Sequence, residues 1–233
     1  MDIVTLELFK QNKSGKEDMK MKTKAKIWMI LFIIWTWLVQ TVEVKPVGVT
    51  GTNIGFATLN CWFHKLTGVH MALYTITDWM GLIPLSVCMI FGGIGILQLV
   101  KRRSLFKVNR DLIVLGIYYV IVIIEYLVFE IYPVNYRPIL IQGVMEVSYP
   151  SSTTLLVLSV MPTLIEQVRR RVKNRILRKS VSVITITFSV FMVFGRLVSG
   201  VHWFTDIVGA VLLSEGMFEV YKAMILLPYK EKR

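Results

Sequence analysis

The chain has 233 residues, is 55% hydrophobic and has a mean hydropathy of +0.60. That is too apolar for an ordinary soluble domain of this length. The net charge of +12 does not point to nucleic acid, because the basic residues are sorted by topology rather than gathered on one surface.

In chain order, residues 1–26 read as a polar, basic tail with Lys10, Lys13, Lys16, Lys20, Lys22, Lys24 and Lys26. Six apolar runs follow, at about 27–43, 82–100, 112–130, 152–168, 180–195 and 204–221. The run at 180–195 is short for a span and needs flanking residues to snorkel. The first run has no small-residue cleavage pattern after it, so it reads as a retained signal anchor. On a six-span layout, all 27 basic residues except Lys45, Lys65, Arg137 and Arg196 fall on one side. This positive-inside pattern puts both termini in the cytoplasm and the loops 44–81, 131–151 and 196–203 outside.

The expectation is an all-α, polytopic membrane protein. A basic tail (1–26) precedes a six-helix membrane domain (27–222) and a short cytoplasmic tail (223–233). Trp62, Trp79 and Trp203 read as interfacial anchors. Cys61 and Cys88 read as isolated thiols, with no disulfide and no metal site.

The chemistry-bearing residues gather in the outer loops. In Gly195-Arg196-Leu197-Val198-Ser199-Gly200-Val201-His202-Trp203-Phe204-Thr205-Asp206, a forked cation precedes a histidine and an aspartate. His202 and Asp206, at i and i+4, can share one helix face, a spacing that lets a carboxylate orient an imidazole. Arg196 suits a phosphate. Arg137 lies in the middle outer loop. Pro150 reads as the first residue of a helix. The free N–H groups and hydroxyls of Ser151, Ser152 and Thr153 then form a phosphate cradle, although such residues at a helix start often serve only as caps.

With these residues in hand, the chain resembles the integral-membrane lipid phosphatases of the type 2 phosphatidic acid phosphatase superfamily, which are related to haloperoxidases. The family pattern has three parts: lysine, six residues, Arg-Pro; Pro-Ser-Gly-His; and Ser-Arg, five residues, His, three residues, Asp. Arg137-Pro138 match the end of the first and Pro150-Ser151 the start of the second. Arg196, His202 and Asp206 match the third at full spacing. The resemblance implies a metal-independent hydrolase needing no cofactor, acting on a membrane lipid at the extracytoplasmic face. It implies that His202 attacks phosphorus, Asp206 orients it, and Arg137 and Arg196 hold the phosphate beside Ser151, Ser152 and Thr153.

The departures carry chemical content. Glu130 stands at the family lysine, Ser152 at its glycine, Thr153 at its acid histidine and Gly195 before the arginine. Without the histidine, an alkoxide leaving group loses its proton donor, at a cost of about 10²–10⁴-fold. A phosphate leaving from a diphosphate hardly needs one, so an isoprenoid diphosphate is the favoured substrate. Glu130 is a possible replacement acid, as are His64 and His70. Glu125, Glu215 and Glu219 lie within spans, where acids are functional by default, and Asp78 lies at the outer rim. Alternatives are a catalytically weak relative that binds lipid phosphate, a lipid phosphotransferase, or a small transporter using Glu125 and Glu215. The last lacks paired broken helices.

Overall fold

The computed structural model describes residues 3–47 and 51–226, with side chains from residue 19 to 225. Its helices are α1 (Ile3–Thr41), α2 (Ala57–Thr67), α3 (Met71–Met80), α4 (Leu82–Arg102), α5 (Arg110–Ile131), α6 (Ser152–Arg171), α7 (Arg175–Val198) and α8 (Phe204–Leu226). Each of the six apolar runs lies on one of these helices to within a few residues. Among the described residues, three stretches are long and apolar enough to cross a membrane by length and composition: Met71–Arg102, Arg110–Ile131 and Arg175–Val198. Helix α6 has a lower hydropathy because Glu166, Gln167, Arg169, Arg170 and Arg171 crowd its last turns, and it turns Thr153, Thr154, Ser159, Thr163 and Gln167 into the core.

The structure departs from the expectation in several places. The chain is not wholly helical. The segment between α1 and α4 folds into an antiparallel hairpin of β1 (Lys45–Val47) and β2 (Thr52–Ile54), followed by α2 and α3. Helix α1 runs without a break through residue 26. Residues 1–2 and 227–233 of the two expected tails lie outside the described residues. Helix α7 is 24 residues long, so Arg196 belongs to its last turn rather than to a loop. Its length makes up for the short apolar run, because Arg175, Arg178 and Lys179 start the helix before the apolar stretch begins.

Helix α8 lies between α1 and α6, and α7 covers α6 from outside. Polar side chains join the inner helices. Tyr118 Oη donates to the Ser159 carbonyl at 3.0 Å, Tyr119 Oη and Thr163 Oγ1 share a 2.7 Å bond, and Gln167 Nε2 donates to Tyr221 Oη at 2.7 Å. In a membrane, such bonds and close packing hold helices together, because lipid offers no hydrophobic contrast. At the end of the bundle where α8 starts, Trp35 Nε1 donates to the Thr205 carbonyl at 3.1 Å, and Thr36 Oγ1 meets Tyr149 Oη at 2.7 Å. These contacts fix where α8 begins.

Tyr149 is buried against Gly209 of α8, and a Cβ at Gly209 would stand 2.6 Å from its ring. A side chain there must push out a ring that packs on Phe32 and Phe129. Gly209→Ala should therefore destabilise the protein by about 1–3 kcal/mol, read as a lower melting transition in detergent.

Candidate active site

The site forms where the loop 132–151 meets the link 199–203 and the starts of α6 and α8. Asp206 sits in the first turn of α8, where a carboxylate is favoured by the helix N-terminus. It is fully buried, and both its oxygens are used. Oδ2 accepts from the Trp203 N–H at 2.9 Å and Oδ1 from Asn135 Nδ2 at 3.0 Å. Its main-chain carbonyl accepts from the Ser151 N–H at 3.2 Å.

His202 lies in the link before α8, so it does not share a helix face with Asp206 as the i, i+4 spacing predicts. Its Nδ1 is 3.1 Å from the Ser148 carbonyl but 3.8 Å from Asp206 Oδ2. Only the first is a hydrogen bond. A carbonyl only accepts, so Nδ1 carries the proton and Nε2 presents its lone pair. Nε2 is buried and has no hydrogen-bond partner among the described residues. Burial pushes the His202 imidazole down to about 4; Asp206 works against this, and Arg137 and Arg196 add to it. The ring is therefore neutral at pH 7, the form a nucleophile needs.

The two arginines converge on Tyr74 of α3, with guanidinium carbons 5.7 Å (Arg137) and 4.9 Å (Arg196) from its ring centre. Arg196 is almost fully buried; its Nη2 donates to Asp78 Oδ1 at 2.9 Å and also to Thr153 Oγ1. Arg137 Nη2 pairs with Glu146 Oε2 at 3.0 Å. Arg137 Nε and Nη1, Arg196 Nε and Ser148 Oγ are buried without partners among the described residues.

Two cavities adjoin the site. A polar one of about 310 Å³ is lined by Glu130, Arg137, Glu146, Tyr149 and Ser152, among others. An apolar one of about 320 Å³ is lined by Asp78, Leu82, Leu85, Val122, Thr153 and Leu156, among others. Tyr126, Ser152 and Leu155 line both.

Residues 112–226 match the family model described as the PAP2 superfamily. These residues are a PAP2 superfamily domain. The chain is also similar in fold to a transmembrane PAP2-type phosphatidylglycerolphosphate phosphatase from Bacillus subtilis. That likeness has a TM-score of 0.65 at 16% identity, covering 90% of this chain and 99% of that one. No curated protein matches the chain. The protein is a multi-pass membrane protein, by its long apolar helices and by the fold that it shares with that transmembrane protein.

Within the PAP2 domain, the structure brings Arg137, Thr153, Arg196, His202 and Asp206 together, and Ser152 lines both cavities. It alters the expected cradle. Pro150 precedes Ser151, which precedes the helix, so the proline is not the first helical residue. The Ser151 N–H is spent on Asp206, and its Oγ donates to Thr154 Oγ1 at 3.1 Å. Glu130 lines the polar cavity, and the partner of Arg137 is Glu146. His64 Nε2 meets the Gly200 carbonyl at 3.1 Å and His70 Nε2 the Thr67 carbonyl at 2.8 Å. Among the described residues, no group of three or more His, Cys, Asp or Glu side chains is placed to hold a metal ion. Ser148, Asn135, Glu146 and Tyr74 escaped the sequence reading, because nothing in their local spacing marks them.

The His202 environment makes stability depend on pH. Between its ordinary value of 6.5 and about 4, the unfolded chain binds a proton at this ring that the folded chain does not. Stability from this group is thus complete above pH 6.5 and is lost as the pH falls toward 4. The wild-type melting transition should drop across that window by more than that of His202→Asn in the same detergent.

Proposed function

We propose that this chain is a membrane lipid phosphatase that forms a phospho-histidine at His202. The observation that carries this reading is the set of buried, unpartnered polar atoms: Arg137 Nε and Nη1, Arg196 Nε, Ser148 Oγ and His202 Nε2. A buried donor left unmade costs about 1–3 kcal/mol. Such atoms, offered by two arginines and a hydroxyl beside a neutral imidazole, suit a tetrahedral anion that would satisfy them.

In this reading Nε2 attacks phosphorus. The Ser148 carbonyl holds the Nδ1 proton in place. Asp206 stabilises the imidazolium that forms as the P–N bond is made. Arg137 and Arg196 take the charge that develops on the phosphoryl oxygens. Water then breaks the P–N bond and releases phosphate. No metal or cofactor has a part in these steps.

The apolar cavity supports a lipid substrate, since it shares the lining residues Tyr126, Ser152 and Leu155 with the polar cavity that Arg137 lines. The charge layout supports six spans, cytoplasmic termini and an extracytoplasmic site. Thr153 is no proton donor near pH 7, which supports an isoprenoid diphosphate as the better substrate. The structural neighbour is a phosphatidylglycerolphosphate phosphatase, and a lipid monoester of that kind is the comparison substrate. A second reading, a weak relative that binds more than it turns over, is favoured by one observation. Each arginine already holds a carboxylate, Glu146 on Arg137 and Asp78 on Arg196.

Phosphate release by purified protein from a long-chain isoprenoid diphosphate, measured with a chelator present, separates the two. The phosphatase reading expects turnover that survives chelator and falls by at least about 10³-fold in His202→Ala. Binding without turnover, unchanged in that variant, would move the assignment to the weak relative. Arg196→Lys, which removes the fork but keeps a charge, should cost about 10²–10³-fold in turnover.

A further inference from the structure

Resting on the phosphatase reading, we propose that Asp78 is the general acid that protonates the leaving oxygen of the lipid. The leaving oxygen is the atom that joins the phosphoryl group to the lipid chain. Its donor must therefore stand where the phosphate site meets the apolar cavity. Asp78 stands there. It comes from α3, lines the apolar cavity beside Thr153, and has Oδ1 2.9 Å from Arg196 Nη2. Its Oδ2 has no hydrogen bond among the described residues, and the side chain is half-exposed.

The other carboxyls near the site are placed differently. Glu130 and Glu146 line the polar cavity instead, and Glu146 is held by Arg137. Asp206 is buried with both oxygens occupied. Among the described residues, Asp78 is the one carboxyl that lines the apolar cavity.

A phosphate that reaches Arg196 comes to lie beside Asp78, which shares that guanidinium. General acid catalysis here requires that one proton be held between these two groups when the lipid is bound. As Nε2 of His202 bonds to phosphorus and the P–O bond to the lipid breaks, that proton passes from Asp78 to the leaving oxygen. The products are a lipid alcohol, a phospho-histidine and an Asp78 carboxylate. The carboxylate then takes a proton from the attacking water as the P–N bond breaks, and the acid is restored. With this acid in place, monoesters become substrates alongside diphosphates.

The test compares two phosphate monoesters that differ in how much the leaving group needs a proton. Hexadecyl phosphate leaves as an alkoxide unless protonated; p-nitrophenyl phosphate leaves as a stable phenolate. Asp78→Asn keeps an oxygen for Arg196 but has no proton to give. It should lose about 10²–10⁴-fold on hexadecyl phosphate and less than about tenfold on p-nitrophenyl phosphate. Asp78→Glu should recover part of the alkyl activity. Equal losses on both esters, or no loss on either, overturn the assignment and leave the phosphatase reading standing. If Asp78→Asn does not melt cooperatively, the wild type decides. A working acid keeps its alkyl rate within roughly a hundredfold of its aryl rate, and a steeper fall overturns the proposal. A wild type that releases phosphate from neither ester, nor from an isoprenoid diphosphate, overturns the phosphatase reading and the acid with it.

Discussion

The site depends on one buried carboxylate. Asp206 is fully buried, and a charge there is tolerable only when paired and hydrogen-bonded. Its partners come from two different segments: Asn135 from the loop 132–151 and the Trp203 N–H from the link before α8. The Ser151 N–H, at the start of α6, closes on its main-chain carbonyl. Satisfying this one residue therefore pulls together the pieces that carry His202, Ser148 and Arg137. The loop strengthens the arrangement by pairing with itself, Tyr136 against Val147 and Ile141 against Val144. Trp203 Nε1 adds a 2.8 Å bond to the Tyr136 carbonyl.

A second constraint is the proximity of two guanidiniums. Arg137 and Arg196 share the Tyr74 ring, and two buried cations repel unless counter-charges stand nearby. Glu146 and Asp78 supply those charges, one to each arginine. The arginines still leave nitrogens unpartnered, so the site is charge-balanced yet incomplete in hydrogen bonds. That combination suits a ligand which brings acceptors in a fixed geometry. It also explains how Glu130 can stand where the family pattern has a lysine. The residue lines the polar cavity, while the balance of Arg137 is set by Glu146.

The link 199–203 is held tightly for the same purpose. Gly200 has a φ of +70°, and a Cβ there would meet the Gly68 carbonyl oxygen at 2.0 Å. The His70 N–H donates to the Ser199 carbonyl at 2.9 Å, and His64 meets the Gly200 carbonyl. The two histidines that look like acid candidates in the sequence are thus placed against main-chain carbonyls, His64 on the link itself. They help to define where His202 stands, a role that only the folding of the segment between α1 and α4 could reveal.

The helical runs and the spacing of Arg196, His202 and Asp206 were legible from the residues alone. Hydropathy acts on each segment separately, so a linear reading captures the helices. The partners were not legible. His202 rests on a carbonyl 54 residues away, and Arg196 reaches Asp78 across 118 residues. Contacts of that range arise from how loops close over the bundle, and no local spacing encodes them. The spacing also suggests a helix face shared by His202 and Asp206, whereas α8 begins after His202 and the imidazole hydrogen-bonds the Ser148 carbonyl, with Asp206 Oδ2 3.8 Å away. Sequence determined which side chains the site has available. Tertiary structure decided which of them meet, because buried polar groups must find partners wherever the fold brings them.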